Sequence, residues 1–298
     1  MHATVIIPHF NDVARLHKCL TALVPQLQGN DVEIVVGDNG STQDITPLRD
    51  TFAEVRFVSE THPGAAAARN RAVQSARGKW LFFTDADCVP AENWIETALT
   101  VAKDDTCVGG RVSVFDETPP PRSGAEAFEH VFAFNQEAYI KQTHYSVTAN
   151  MLVSRKMFDA VGSFDGSKSE DLDWGQRAYG MGYDIAYASE LHVAHPTRQN
   201  WQALAKKWHR TTREMFAAHG TGPFQRIKWG LRSLLITASI VPHSVKVFRH
   251  QDLSLRDKCA ALGMLVRLRL FRAGMTMRQA VFGQEPINQA PQKDRPKA

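Results

Sequence analysis

Two aspartates one residue apart, Asp85 and Asp87, follow the apolar run Leu81, Phe82, Phe83. If the strand that this run predicts continues through them, alternation puts both carboxylates on one face. Like charges that close repel, and each raises the other's pKa. The pair therefore calls for something positive between them. A second acidic cluster, Glu170, Asp171 and Asp173, follows Ser169 in "SEDLDW". Serine and acids in this order also suit a helix N-terminus. Asp38 stands in "GDNGST", where Asp-Asn-Gly is turn chemistry. Arg69 lies in an alanine-rich segment, with a guanidinium that pairs with carboxylate or phosphate. His192 and His195 sit close together in "LHVAHP", and a lone histidine is more often structural than a ligand.

Repeating strand and helix patterns must position these groups. "ATVIIP" reads as a buried strand stopped by Pro8, and "NDVARLHKCLTALVPQL" as a helix with Asn11 or Asp12 as N-cap. "VEIVVGD", "VRFVS" and "KWLFFTDAD" read as further strands. A weak helix covers about 43–51, an alanine-rich one runs from "HPGAAAARNRAVQSARG" and closes at Gly78, and "AENWIETALTVA" opens another after Pro90. Four strands alternating with helices predict an α/β architecture with a mixed, largely parallel sheet flanked by helices. Ligands of such sheets bind beyond the carboxyl ends of the strands. Asp38, Asp85 and the "PHFN" after the first strand all fall there. Further on, "CVGGRVSVF" and "YSVTANMLVS" read as strands and "AEAFEHVFAFNQEAY" as one amphipathic helix. "RKMFDAVGSFDG" reads as a turn before a helix starting near Ser169.

Charge divides the chain. Residues 1–200 carry 17 Lys and Arg against 26 Asp and Glu; residues 201–298 carry 18 against 5. The first part has acids to hold a metal, and the second has bases to meet an anionic surface. The second part reads as helices, some strongly apolar, with no uninterrupted run near the ~20 residues a membrane span needs. Helices lying on a membrane surface are expected. The last residues, 283–298, are polar and proline-rich, the composition of a disordered tail. Four cysteines without C-x-x-C spacing argue against a disulfide framework or a zinc cluster and fit a reducing compartment. "MHATVIIPHF" lacks the pattern of a secretory leader.

"VIIPHFN", "VVGDNGSTQD", "HPGAAAARNRAV", "GKWLFFTDAD" and "GSFDGSKSEDLDWGQRAYGMGYD" occur in that order. Together they resemble a family 2 glycosyltransferase of the GT-A fold, over roughly residues 3–200. The resemblance implies a catalytic domain at 1–200; charge and helical patterning set a basic, membrane-associated helical region at 201–282 after it. It implies transfer, with inversion, of a hexosyl unit from a nucleotide-diphosphate sugar. Asp85 and Asp87 then match the family's D-x-D, with Ala86 between them beside the nucleotide. Oxygen ligands favour Mg2+ or Mn2+. A unit charge pair at ~4 Å gains about 4 kcal/mol at an effective dielectric near 20, against ~1 in water, so the site must be partly closed. Asp38 matches the residue that meets the base, with Pro8, Phe10 and Asn11 lining the same pocket and Arg69 near the diphosphate. Asp171 is the expected general base, with Glu170 the alternative. His195 is a further metal or diphosphate contact, in competition with His192. Gly110, Asn150, Trp174 and Arg177 are expected around the donor sugar and acceptor, with Trp174 as a platform for a sugar ring.

The expected activity is a metal-dependent inverting glycosyltransferase using a UDP-sugar. Its acceptor is a lipid, a lipid-linked saccharide or a saccharide, and its place the cytoplasmic face of a membrane. A nucleotidyltransferase should show a Gly-rich basic loop after the first strand, which "PHFNDVARL" is not. A phosphatase would carry its D-x-D after the first strand rather than the fourth. Nucleic acid is not an expected partner, since the basic segments are apolar-rich and lack a reading motif. The rival is a non-catalytic nucleotide-sugar or partner-binding protein on the same scaffold.

Overall fold

The apolar runs form strands whose two faces are both covered. In Ala3–His9 (β1), Val5 and Ile7 join one core cluster and Ile6 the other. Ile34 and Val36 against Val35 divide the same way in Val32–Asp38 (β2), as do Phe82 against Leu81 and Phe83 in the fourth strand. Continuous apolar runs are what a doubly covered sheet requires. The computed structural model describes residues 2–220 and 222–283. The tail expected to be disordered lies, beyond Gly283, outside the described residues.

After β1 come Val13–Leu23 (α1), β2, Thr46–Thr51 (α2), Val55–Ser59 (β3), Ala65–Ser75 (α3) and Trp80–Thr84 (β4). Val89–Pro90 (β5), Trp94–Val101 (α4), Thr106–Phe115 (β6), Gly124–Phe132 (α5), Gln136–Thr143 (α6) and Asn150–Ser154 (β7) follow. Arg155–Val161 (α7), Glu170–Gly180 (α8) and Asp184–Pro196 (β8) complete the sheet region. The strand order is β3-β2-β1-β4-β7-β6-β8-β5. Pairing is parallel from β3 through β4 and between β6 and β8, and antiparallel at β4–β7, β6–β7 and β5–β8. The expected mixed α/β sheet with flanking helices is what forms.

Several local expectations change. Pro8 sits inside β1, opposite Gly37. The His9 carbonyl accepts from Asn39 N–H on the β2 side, so Pro8 addresses the other side, where pairing with β4 has ended at Ile6. Its missing N–H therefore costs no ladder bond. Gly78 does not close α3, which ends at Ser75. A Cβ on Gly78 would lie 2.4 Å from the Ala3 carbonyl carbon, so this glycine admits β1 alongside. The single helix expected over 125–139 breaks into α5 and α6. α7, expected as a turn, is a helix capped by Ser154, whose Oγ accepts from Met157 N–H at 3.1 Å.

Two compact units divide the chain. One comprises residues up to Pro119 together with Phe132–Thr197, the other Pro120–Val131 together with the chain from Arg198. The second unit holds Trp201–His219 (α9), Pro223–Ala238 (α10), Ile240–Arg249 (α11) and Leu255–Phe282 (α12), with α5 packed among them. Trp229 of α10 is buried and donates from Nε1 to Gln279 Oε1 of α12 at 3.0 Å. Buried Glu129 of α5 accepts from Arg198 at 2.8 Å and from Lys207 at 3.4 Å. Among the described residues, no helix is long and apolar enough to cross a membrane.

Candidate active site at the carboxyl edge of the sheet

At the carboxyl ends of β1 and β2, Asp38 is buried and heavily hydrogen-bonded. Its Oδ1 accepts from Ser41 Oγ at 2.6 Å and from His9 Nδ1 at 2.9 Å. The donor at His9 is settled by its other nitrogen, since Nε2 accepts from Asp12 N–H at 3.2 Å. Burial alone would raise the Asp38 pKa, but the Ser41 and His9 hydrogen bonds hold it below its ordinary value. Asn11, at a φ of 50°, uses Oδ1 to accept from Thr42 N–H at 2.8 Å and Gln43 N–H at 3.1 Å. It thus ties the end of β1 to the loop after β2. Phe10 is 60% exposed beside it. His9 was missed by sequence reading, although its place at the strand end beside Phe10 was the available signal.

The D-x-D segment departs from the strand geometry expected of it. β4 ends at Thr84, and Asp85–Cys88 form a turn closed by Cys88 N–H to Asp85 O at 3.0 Å. The two carboxylates therefore diverge. Asp85 Oδ1 accepts from Arg69 Nη2 at 2.5 Å, and Arg69 Nη1 donates to Glu170 at the start of α8. Arg69 is itself buried in α3. Burial would lower its pKa, but Asp85, Glu170 and Asp171 raise it above its ordinary value, so it stays charged between the two acids. α3 reaches this place because Gly37 has no side chain: a Cβ there would lie 2.2 Å from the Ala68 carbonyl oxygen.

Asp87 turns instead toward His195 of β8, with Oδ2 at 3.3 Å from Nε2. His195 Nδ1 donates to the Pro196 carbonyl at 2.7 Å, which fixes the ring and leaves Nε2 facing Asp87. Burial raises the Asp87 pKa, as does Asp85, while His195 opposes them. The donor set, one carboxylate oxygen and one oriented imidazole, fits part of the shell of a divalent cation, which would need its other ligands from elsewhere. Among the described residues no cluster of three or more His, Cys, Asp or Glu stands ready for a metal. His192 lies elsewhere, with Nε2 at 2.7 Å from Ser113 Oγ. The nearby Cys19 and Cys88 thiols are buried, which pushes both well up in pKa. Ala86, in the turn, is buried.

Of the two acids opening α8, Glu170 is bound to Arg69. Asp171 is not: its Oδ1 is buried with no hydrogen-bond partner. Burial pushes its pKa up to about 7, helped by Glu170 and Asp85 and opposed by Arg69 and a hydrogen bond from Thr148. Asp173 faces away, paired with Lys168 and Arg177.

Four expected sugar contacts have other occupations. Trp174 is 0% exposed and donates from Nε1 to Gly162 O at 2.8 Å, so no ring face is open to a sugar. Arg177 spends its guanidinium on Asp173 and on the Val161 and Ser163 carbonyls. Asn150, fully buried, accepts from Trp94 Nε1 at 3.0 Å and donates to the Arg111 and Leu191 carbonyls, each at 2.9 Å. Gly110 makes room for that amide, since a Cβ would lie 2.2 Å from Asn150 Nδ2. Asn150 and Gly110 brace the sheet at the β6 register shift.

Comparison with known proteins agrees with this arrangement. The model for "Glycosyl transferase family 2" matches residues 4–162. Glycosyltransferase AglE of Haloferax volcanii is 26% identical over 215 residues, covering 69% of this chain and 70% of that protein. The uncharacterized glycosyltransferase YibD of Escherichia coli is 33% identical over 106 residues, which span 30% of its length. Among solved structures, the mannosyltransferase PcManGT from Pyrobaculum calidifontis, in complex with GDP-Man and Mn2+, superimposes with a TM-score of 0.55 at 19% identity. It covers 96% of this chain and 76% of its own. The S. aureus TarS 1-349 structure in complex with UDP-GlcNAc gives 0.52 at 13% identity, over 95% and 93%. At such identities these two neighbours speak for the fold, which is the GT-A fold expected from the motifs. With a family match over more than half its length and these motifs gathered on one sheet edge, the chain belongs to glycosyl transferase family 2.

Proposed function

We propose that the chain transfers a hexosyl unit, with inversion, from a UDP-sugar to a hydroxyl of a lipid, lipid-linked or saccharide acceptor. The observation that carries this is Asp171: a carboxyl with one buried, unpartnered oxygen and a pKa near 7, beside the Asp85–Arg69–Glu170 chain. A base needs a pKa near the working pH, and Glu170 is already committed. In the reaction, Asp171 takes the acceptor hydroxyl's proton as that oxygen bonds to the anomeric carbon. The bond from that carbon to the diphosphate oxygen breaks on the opposite face, and its electron pair leaves with the nucleoside diphosphate. Arg69 keeps Glu170 and Asp85 in place, while Asp38, Asn11 and exposed Phe10 border the nucleotide end. Asp87 and His195 would hold a divalent cation, Mn2+ or Mg2+; bound there, it supplies positive charge against the leaving diphosphate. The two solved neighbours were captured with nucleotide sugars, one of them with Mn2+, which supports the donor class.

The same reading places the enzyme peripherally on the cytoplasmic face of an anionic membrane, with residues 1–200 catalytic and 201–282 at the surface. Phe224, Ile227, Leu231, Leu234 and Leu235 recur at helical spacing along α10 and are all more than half exposed. Arg226, Lys228, Lys246 and Arg249 accompany them. An apolar stripe flanked by bases is the composition of an interfacial helix, and each basic residue near an anionic bilayer contributes about 1 kcal/mol.

The test is isothermal titration with UDP, GDP and dTDP, each with Mn2+ and with EDTA. Binding of UDP that requires metal, and weakens at least about ten-fold in His195→Ala, supports the reading. Failure of a folded protein to bind any of the three overturns it in favour of a non-catalytic role.

A further inference from the structure

The helical unit carries a second cluster of unusual charge. Arg272 of α12 is only 7% exposed. Its guanidinium stacks on Trp208 of α9, with Cζ 3.8 Å from the ring centroid. Arg269, one turn earlier on α12, and Arg232 of α10 are near enough that their charges act on it. Burial and these two positive neighbours lower the Arg272 pKa to about 9. Among the described residues none of the three arginines has a carboxylate partner, whereas buried Glu129 in the same unit has two cations. His243 of α11 offers no compensation: burial, Arg269, Lys246 and Arg272 all lower its pKa, against a single hydrogen bond to the Ser239 carbonyl.

Hydrogen bonding marks the same place. Buried side-chain atoms without a partner include Arg269 Nε, Arg272 Nε, Trp208 Nε1, and the Thr212 and Thr276 hydroxyls. Arg269, Arg272 and Thr276 are spaced three and four apart on α12, and Trp208 and Thr212 four apart on α9. Each set therefore shares a helix face, and the Arg272–Trp208 stack brings the two faces together. Buried polar groups normally find partners, and leaving a charged one unmade costs more than a neutral one. Here every orphan in the seam is a hydrogen-bond donor or a hydroxyl able to donate, and the fixed charge is entirely positive. An anion with several acceptor oxygens would answer all of them at once.

We propose that the seam between α9 and α12 binds a phosphate group, held by Arg232, Arg269 and Arg272 with Trp208 Nε1 and the Thr212 and Thr276 hydroxyls as further donors. Guanidinium forks match phosphate geometry, and a threonine hydroxyl or indole N–H completes the shell as a neutral donor. The phosphate comes either from a lipid headgroup or from a soluble phosphate, and the chemistry of recognition is the same. This site lies wholly within the helical unit and does not depend on the transfer reaction proposed for Asp171.

The full chain is titrated in phosphate-free buffer at constant ionic strength with inorganic phosphate. In parallel it is floated with phosphatidylcholine vesicles with and without phosphatidic acid. The variants are Arg272→Met and Arg269→Gln, with Lys156→Gln as an equal loss of charge from an exposed position of α7 in the sheet unit. Loss of one charged hydrogen-bond partner should weaken phosphate or phosphatidic acid binding by about ten-fold or more, and Lys156→Gln by about two-fold or less. Arg272→Met should also melt higher than the parent without phosphate, because it removes a buried charge that repels two neighbours. Saturable binding of inorganic phosphate assigns a soluble ligand. A response confined to phosphatidic acid, and lost in Arg269→Gln, assigns a lipid phosphate. No response to either, or equal responses in Arg269→Gln and the parent, overturns the site. Should Arg272→Met fail to fold, Arg269→Gln alone decides, since that residue is only partly buried.

Discussion

The two units treat buried charge in opposite ways. In the sheet unit nearly every buried charge is answered. Arg69 lies between Asp85 and Glu170, and Glu33 receives Thr4, Arg56 and Arg77. The exception there is Asp171. In the helical unit Glu129 is answered by Arg198 and Lys207, but Arg272, Arg269 and Arg232 stand together without an acid among the described residues. Paired charges fix geometry; a buried charge left over is expensive unless a ligand meets it. Among the described residues the sheet unit thus leaves a carboxyl oxygen of Asp171 unanswered and the helical unit a group of arginines, and the sign tells what each can receive. The carboxylate can take a proton and the arginines can take an anion.

The largest effect that would break this comparison lies at Asp171. Asp171→Asn should lower kcat by about 10²–10⁴-fold with little change in nucleotide affinity. In the parent, activity should fall as pH drops through about 7, where the base protonates. Stability should move the other way. A carboxyl whose pKa is raised on folding keeps its proton where the unfolded chain has lost it, so its contribution declines from the ordinary Asp range up to pH about 7 and then levels off. Asp171→Asn should remove that decline; a pH-independent kcat in the parent would count against the assignment.

Next in size is Arg69→Met, which strands two acids. Breaking such a bridge should cost about 3 kcal/mol, the low end for buried pairs because Asp85 and Glu170 are partly exposed, read from denaturant unfolding. It also removes a charge that lowers the Asp171 pKa, so the acid limb of any residual activity should move to higher pH. Unchanged stability would mean that the pairing does not organise the site.

The smallest effect is on the surface of the helical unit. Leu234→Glu with Leu235→Glu should reduce flotation with anionic vesicles by about ten-fold or more, from lost apolar burial and added like charge, while turnover on a soluble acceptor stays the same. Full retention of vesicle binding would separate the exposed stripe from any membrane role.

Much of the site could be read before folding. The order of the motifs, the strand ends at Asp38 and Asp85, and the acids after Ser169 are local patterns, carried by apolar runs and turn residues. Burial and partner choice were not readable, because they join residues far apart in the chain. The turn at Asp85–Cys88 sends two neighbouring acids to different partners, one to Arg69 and the other to His195. Trp174, an aromatic beside the acids that open α8, proves to be core because Phe158 and Phe164 pack against it. Asn150 and Gly110 look like site residues and brace the sheet.

The sequence by itself determined the α/β class, the family and the list of reactive side chains, since these rest on residue type and short-range spacing. Only the tertiary structure decided which of two adjacent acids pairs with Arg69, which histidine faces Asp87, and that arginines of α10 and α12 come together. Each of those outcomes depends on what is excluded from water and what stands opposite it, and both are set by contacts between distant segments.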